Sequence, residues 1–481
     1  MFRSWLKTLR LWWHDNLLRA VLKNSSFMFS SNTIAAGLAF LNPIFAVRLI
    51  GIEGLGVVAI VQTFVSNVNR LLSFRMSEVV VKYLGQTLAS QPTEPVQPGV
   101  TTSITQSNKI KDPQAAALVK GIGLIEAATS IVAYLVLLLL ASWAASVLIK
   151  DPSAVMLIPF YGLMLIANLV YETSTGVLQT HKRFDRLALI NTIQSVLTTS
   201  LIFGAFILRR GVVEILAAYL VGKAFAGVAI TVFAFKQMNQ SAGRGWWRES
   251  LQQVKYWKGI WNFAINTNLN GTVNLVTRDN APLYLTYLSP ASVAQTYVGY
   301  LKLGLSIINF ITLPIDPFIW PTYAEITRTI AQHLWARTRY LLKQVSSIAG
   351  AWTLGVTAAI ALLGWWLIPL VYGADAAPVY PVVLVLLVGY GTANIFNWNR
   401  PLLLAFGKPS YPLRVALYVG IVEILLILWL VPQTGYLVMA GILSAYLAVS
   451  VGITAWRGWQ ELRIQETLDG VPAATAQQDN L

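Results

Sequence analysis

Twelve long apolar runs joined by short linkers limit what this chain can fold into more than any other feature. They cover residues 27–50, 55–84, 118–149, 154–179, 187–208, 212–235, 259–286, 293–320, 345–372, 379–399, 411–431 and 436–456. A helix rises 1.5 Å per residue, so about 20 apolar residues cross a hydrocarbon layer about 30 Å thick, with every backbone N–H and C=O bonded inside the helix. Each run meets that length. The second and third exceed it, which predicts tilt or extension beyond the bilayer. The composition fits: 56% of the 481 residues are hydrophobic and 11% are charged, against about a quarter charged in a soluble domain. The expected fold class is all-α, a polytopic membrane protein with 12 transmembrane helices.

The linkers alternate in charge. Cations gather at the N-terminus (Arg3, Lys7, Arg10, Arg19, Lys23) and in the linkers holding Lys109 and Lys111; Lys182, Arg183 and Arg186; and Lys236, Arg244, Arg248, Lys255 and Lys258. They recur at Arg328, Arg337, Arg339 and Lys343; at Lys408 and Arg414; and at Arg457 and Arg463. The intervening linkers carry few, and TYLSPAS, YGADAAP and PQTG carry none. The positive-inside bias puts the basic set and both termini in the cytosol, as an even number of spans requires. Arg209–Arg210 is the one pair on the other side. The net charge of +15 therefore reads as topology, with no nucleic-acid partner.

The segment 1–24 sets Phe2, Leu6, Leu9, Trp13 and Leu17 on one helical face and Arg3, Lys7 and Arg10 on the other. That pattern suits an amphipathic helix lying in the bilayer interface. An N-terminal six-helix bundle follows at 25–236, then a cytosolic linker at 237–258, a C-terminal six-helix bundle at 259–458 and a cytosolic tail at 459–481. Each bundle opens on a long run and a small-residue external turn, GIEGLG at 51–56 and SPASVAQ at 289–295. This hints at a duplicated bundle, an arrangement that places a substrate site near the midplane. Residues 86–117 hold a stretch rich in Pro, Ser and Thr without apolar periodicity, expected to be a flexible cytosolic loop.

Several chemistries are excluded. The chain has no GxxxxGK[ST] phosphate loop and no HExxH pair. It has no cysteine, and His14, His181 and His333 stand apart, so neither a metal site nor a cofactor is expected. External linkers of no more than roughly ten residues are too short to form a catalytic domain. The chain is not expected to be an enzyme.

What remains is the set of charges inside the runs. An ionisable group at the bilayer centre costs several kcal/mol against lipid, so it faces a cavity or a partner. Helical rise puts Lys223, Lys302 and Glu423 near the midplane. Arg70 lies in the cytosolic half of the second run, one turn from Asn67. Arg75, Glu78 and Lys82 form a stripe toward its cytosolic end, able to pair and snorkel. Arg278 and Asp279 are adjacent near an external end and are expected on different faces. Two readings stand side by side. Lys223 or Lys302 pairs with Glu126 or Glu423 as a buried salt bridge between helices. Alternatively Arg70, Lys223 and Lys302 line a cationic cavity that draws in an anion, with Asn67, Asn270 and Asn274 among its polar lining and Arg75 and Lys82 at its cytosolic entrance. Glu126, Asp279 and Glu423 are then candidates for ion coupling or helix pairing.

The sequence resembles a known family. AVRLIGIEGLGVVAIVQTF resembles the first external turn of the Wzx-type lipid-linked oligosaccharide flippases, with Arg48, Leu49, Ile50, Gly51 and Gly56 filling its pattern and Leu55 replacing the aromatic. GVLQTHKRFDRLALIN, TRDNAPLYLTYLSPASVAQTYVGYLKL, PTYAEI and LLLAFGKPSY are similar to later family segments, in order, between about Ser25 and Trp456. The family belongs to the multidrug/oligosaccharidyl-lipid/polysaccharide (MOP) exporter superfamily. The resemblance implies two six-helix bundles around a central cavity, as in the MATE exporters, working by alternating access. It implies a substrate of undecaprenyl pyrophosphate bearing an oligosaccharide, held at its pyrophosphate by cavity cations and flipped outward for surface polysaccharide synthesis. It further implies a bacterial inner-membrane location, a lipid environment, function as a monomer, and a polysaccharide polymerase and chain-length regulator as partners. An ion-coupled multidrug or small-cation exporter of the same superfamily is the alternative, and a membrane-embedded glycan polymerase or glycosyltransferase the third.

Overall fold

The computed structural model describes residues 16–72, 76–89, 113–254, 257–315 and 319–470. Side chains at 16–30 and at several later helical positions lie outside that set. Every regular element among the described residues is a helix. The predicted interfacial helix therefore lies outside the described residues up to residue 15, and most of the predicted loop 86–117 does so at 90–112.

The first helices are α1 (Asn16–Leu72), α2 (Met76–Ala89), α3 (Pro113–Ala144), α4 (Leu157–Ala167), α5 (Tyr171–Thr180), α6 (Phe184–Ile207), α7 (Val212–Ser241) and α8 (Trp257–Asn274). They are followed by α9 (Ala281–Leu288), α10 (Ala294–Thr312), α11 (Ile319–Ala331), α12 (Trp335–Tyr372), α13 (Val379–Ile395), α14 (Asn399–Ala405), α15 (Ser410–Thr434) and α16 (Tyr436–Gly470). Nine helical segments among the described residues are long and apolar enough to cross a membrane. The difference from twelve runs has local causes. The first two runs join within one segment, Thr33–Thr87, whose turn is made by Gly51 at φ 72°, a backbone region open to glycine without Cβ strain. The seventh run is carried by α8, a π-helical turn at Leu275–Asp279 and the short α9. The eighth reduces to α10, and residues 316–318 after it are outside the described set.

Two compact units compose the chain, and neither is continuous in sequence. One comprises Met1–Ala39, Phe64–Ser146 and Asp151–Thr272; the other comprises Phe40–Thr63, Val147–Lys150 and Val273–Leu481. In the first, a buried core at Val79, Val80, Ile122, Val177, Ile190 and Ile230 ties α2, α3, α5, α6 and α7 together. Helix α5 is the second half of a broken span: the backbone leaves helical geometry at 168–170. The break sits against α7 at Gly227, where a Cβ would lie 2.6 Å from the Ala167 carbonyl oxygen. Small residues at such crossings let backbones approach within a membrane.

In the second unit the two small-residue turns of the sequence meet. A Cβ on Gly56 would lie 1.8 Å from Gln295 O, and one on Gly299 would lie 2.2 Å from Ile52 O. The Gln295 amide donates to Ile149 O at 2.6 Å, Thr286 Oγ1 donates to Leu148 O at 2.6 Å, and Lys150 Nζ donates to Ser289 O. Segments 138 to 146 residues apart in sequence are thus hydrogen-bonded to each other, with the turn at 51–56 packed against them.

The Arg209–Arg210 pair, out of place in the charge alternation, caps α6. Arg209 takes φ 49°, while Arg210 N–H donates to Ala205 O and Arg209 N–H to Phe206 O. This is a Schellman end, where cations also complement the carbonyl end of the helix dipole.

Candidate functional site: charged groups within the apolar helices

Two buried carboxylates within the predicted apolar runs, one in each unit, define the site chemistry. Glu126 on α3 is 2% exposed. Its Oε1 accepts the Glu172 N–H at 2.8 Å and its Oε2 accepts the Thr173 N–H at 2.8 Å. Those donors are first-turn amides of α5, which no intrahelical carbonyl can satisfy. The break in the span therefore creates a small anion site, and Glu126 fills it. Ser77 Oγ on α2 donates to the Glu172 carboxylate, so α2, α3 and α5 share one polar chain.

Glu423 on α15 is also 2% exposed, yet neither carboxylate oxygen has a hydrogen-bond partner among the described residues. Tyr284, Tyr390 and Tyr446 lie near enough to feel its charge. Tyr446 OH is 3.2 Å from Thr277 Oγ1, inside the π-helical turn, and Gly420 on α15 lets Thr277 pack closely, since a Cβ there would lie 2.3 Å from Thr277 Cγ2. Arg278 Nε pairs with Asp279 Oδ1 at 3.3 Å. That corrects the expectation that adjacent residues must face apart: side chains in a π turn do not follow α-helical spacing. Tyr284, Tyr390, Tyr446 and Thr277 were not singled out by sequence reasoning, because tyrosine and threonine in apolar runs carry no periodic signal.

The predicted cations divide. Lys302 on α10 is half-buried and Lys223 on α7 is exposed. Neither ammonium has a hydrogen-bond or ion-pair partner among the described residues, so the expected salt bridges to Glu126 or Glu423 do not form there. Arg70 is exposed in the last turn of α1, one turn from buried Asn67, and each takes part in a polar, ring or electrostatic contact. Arg75 lies outside the described residues, as do the side chains of Asn270 and Asn274 on α8. Lys82 does not simply extend to solvent: its amine sits 3.9 Å from the centroid of the Phe263 ring on α8, a cation–π contact.

Comparison with known proteins adds four findings. A family model described as "Polysaccharide biosynthesis protein" matches residues 95–380. The chain is 23% identical over 377 residues to "Inner membrane protein YghQ" of Escherichia coli (strain K12), covering 77% of this chain and 98% of that one. Among solved structures it resembles an inward-facing multidrug resistance MATE family transporter of the MOP superfamily, with TM-score 0.67 at 13% identity over 92% of this chain and 99% of the other. It also resembles lipid II flippase MurJ in an inward closed conformation, with TM-score 0.62 at 13% identity over 92% and 90%. The matched family model spans more than half of the chain, the apolar helices are long enough to cross a bilayer, and the fold is that of the MOP superfamily; the chain belongs to the polysaccharide biosynthesis protein family, as a multi-pass inner-membrane protein.

Proposed function

We propose that the protein flips undecaprenyl-pyrophosphate-linked oligosaccharide units from the cytosolic to the outer leaflet for surface polysaccharide synthesis. Twelve spans with both termini cytosolic and a monomer working by alternating access complete this reading. A polysaccharide polymerase and a chain-length regulator are its proposed partners. The observation that carries it is the pair of mid-span lysines, Lys223 and Lys302, with no anionic partner among the described residues. An unpaired cation at the helix centre costs about 3 kcal/mol in insertion measurements, an expense that a passing pyrophosphate offsets. Arg70 and Asn67 extend the cationic path, with Asn270 and Asn274 along α8 and Arg75 and Lys82 at its cytosolic entrance. Family membership and the lipid II flippase among similar folds support a lipid-linked substrate. No bond is made or broken, so the protein needs no catalytic group.

The test is reconstitution in liposomes with a fluorescent undecaprenyl-pyrophosphate oligosaccharide, following headgroup movement between leaflets. Movement in the native chain, reduced at least about tenfold by Lys302→Ala or Lys223→Ala in folded protein, is the expected result. Retained movement in both variants removes the cationic path. Buried Glu423, without a hydrogen-bond partner among the described residues and on a helix packed at Gly420 against the π turn that carries Asp279, favours one second reading: an ion-coupled exporter of a small cation. Efflux of a cationic dye that requires Glu423, with no lipid movement, would establish that alternative.

A further inference from the structure

A pocket of about 660 Å³ lies in the first unit, with Thr173, whose N–H seats Glu126, among its wall residues. Its size is within the range of about 300–1,000 Å³ usual for ligand sites. The walls come from α3, α5 and α7, and the turn Trp246–Arg248 closes one end. Wall residues Leu124 and Phe235 are 53% and 42% exposed, on helices long and apolar enough to span a bilayer. Their exposed side therefore faces lipid, and an occupant enters from the bilayer rather than from water.

The closed end is different in kind. Lys120 lies seven residues into α3, roughly 10 Å along the helix from its start at Pro113, and lines the pocket with Arg248. Its amine donates to the Glu249 carbonyl at 2.9 Å, leaving two N–H donors. The Arg248 guanidinium lies 4.7 Å from the Trp247 ring centroid, braced but still able to donate. The Trp246 indole N–H is buried with no partner among the described residues, a donor that calls for an acceptor. The nearest acid in the turn, Glu249, is engaged by Gln253 Nε2 at 3.4 Å. Two cations and an orphaned N–H at the end of an apolar slot, flanked by tryptophans, match a phosphate attached to an acyl chain. Basic pockets between transmembrane helices at the cytosolic side recognise anionic lipid headgroups on the same physical grounds.

We infer that this pocket is a binding site for an anionic glycerophospholipid of the surrounding membrane, its phosphate held by Lys120, Arg248 and Trp246 and one acyl chain lying between α3, α5 and α7. The site rests on membrane placement and on the basic-linker end being cytosolic, and is independent of which substrate is flipped.

The experiment places the full-length protein in nanodiscs of phosphatidylcholine containing increasing brominated phosphatidylglycerol or brominated phosphatidylcholine. The signal is the tryptophan fluorescence lost between the native chain and Trp246→Phe, read together with the total. The expected result is saturable quenching at a mole fraction at least fivefold lower for phosphatidylglycerol. Lys120→Gln combined with Arg248→Gln should shift that curve at least threefold toward phosphatidylcholine. Gly123→Leu fills the slot while leaving both cations; a Cβ there meets its nearest neighbours, Thr173 Cγ2 and Val170 Cγ1, only at 3.8 Å. It should abolish saturation. Equal quenching by the two lipids in the native chain overturns the proposal even if every variant misfolds. So does an undisturbed preference in the charge-removed protein, or displacement of phosphatidylglycerol by a lower mole fraction of undecaprenyl phosphate, which would assign the slot to the substrate's tail. Loss of flipping activity with lipid selectivity intact would leave this site standing and remove only the transport reading.

Discussion

Glu126 and Glu423 offer the same signal in sequence, a lone carboxylate within an apolar run, and the same 2% exposure in the fold. Their surroundings are opposite. Glu126 holds two backbone N–H groups at a helix start. Glu423 holds none among the described residues, with Tyr284, Tyr390 and Tyr446 as electrostatic neighbours. The first has an architectural role: it satisfies a break in a span that lipid could not satisfy. The second is an unmet electrostatic demand, the condition under which groups that bind ions or change protonation are found. A buried charge is thus informative only once its partners are known.

Mutation can break this contrast. The largest effect is expected for Glu126→Ala, which strands two buried amides; each unsatisfied donor costs about 1–3 kcal/mol, so thermal unfolding in detergent should occur well below that of the native chain. Glu126→Gln keeps one acceptor and should lose only part of that stability. Unchanged unfolding in Glu126→Ala would show that water or another group can replace the carboxylate. Glu423→Leu should behave oppositely: stability within about 1 kcal/mol of the native chain or above it, since removing an unpaired buried charge relieves desolvation, while transport falls about tenfold or more. A destabilisation equal to that of Glu126→Ala would mean that Glu423 has a structural partner and the contrast is false.

Smaller changes sharpen it. Tyr446→Phe removes the hydroxyl that meets Thr277 and should cost about 1 kcal/mol; a transport defect larger than its stability defect, measured on the same preparation, would tie the tyrosine ring to Glu423. Ser77→Ala removes one donor from Glu172 in the satisfied network. It should cost under about 1 kcal/mol and leave transport untouched, and a clear transport defect there would move the functional charge from the second unit to the first.

The apolar runs were legible because a hydrocarbon solvent imposes a length on any segment crossing it. The small-residue turns GIEGLG and SPASVAQ were legible as turns, though not as partners; their meeting at Gly56 and Gly299 is a contact across more than two hundred residues, which no local pattern encodes. Lys223 and Lys302 stood out because charges are rare in such runs. Their lack of partners among the described residues was not legible, because it depends on what packing sets opposite them; nor were the seat of Glu126 on α5 and the π turn that lets Arg278 reach Asp279, because each depends on a backbone departure whose position is set by packing.

By itself, then, the sequence determined an all-helical membrane protein, the cations and carboxylates its spans carry, and the family resemblance, because solvent and charge act on each segment separately. Tertiary structure alone decided which carboxylate is satisfied and which has no hydrogen-bond partner among the described residues. Hydrogen bonding within a membrane is a matter of what stands opposite, and for Glu126 that is a broken helix 46 residues further along the chain.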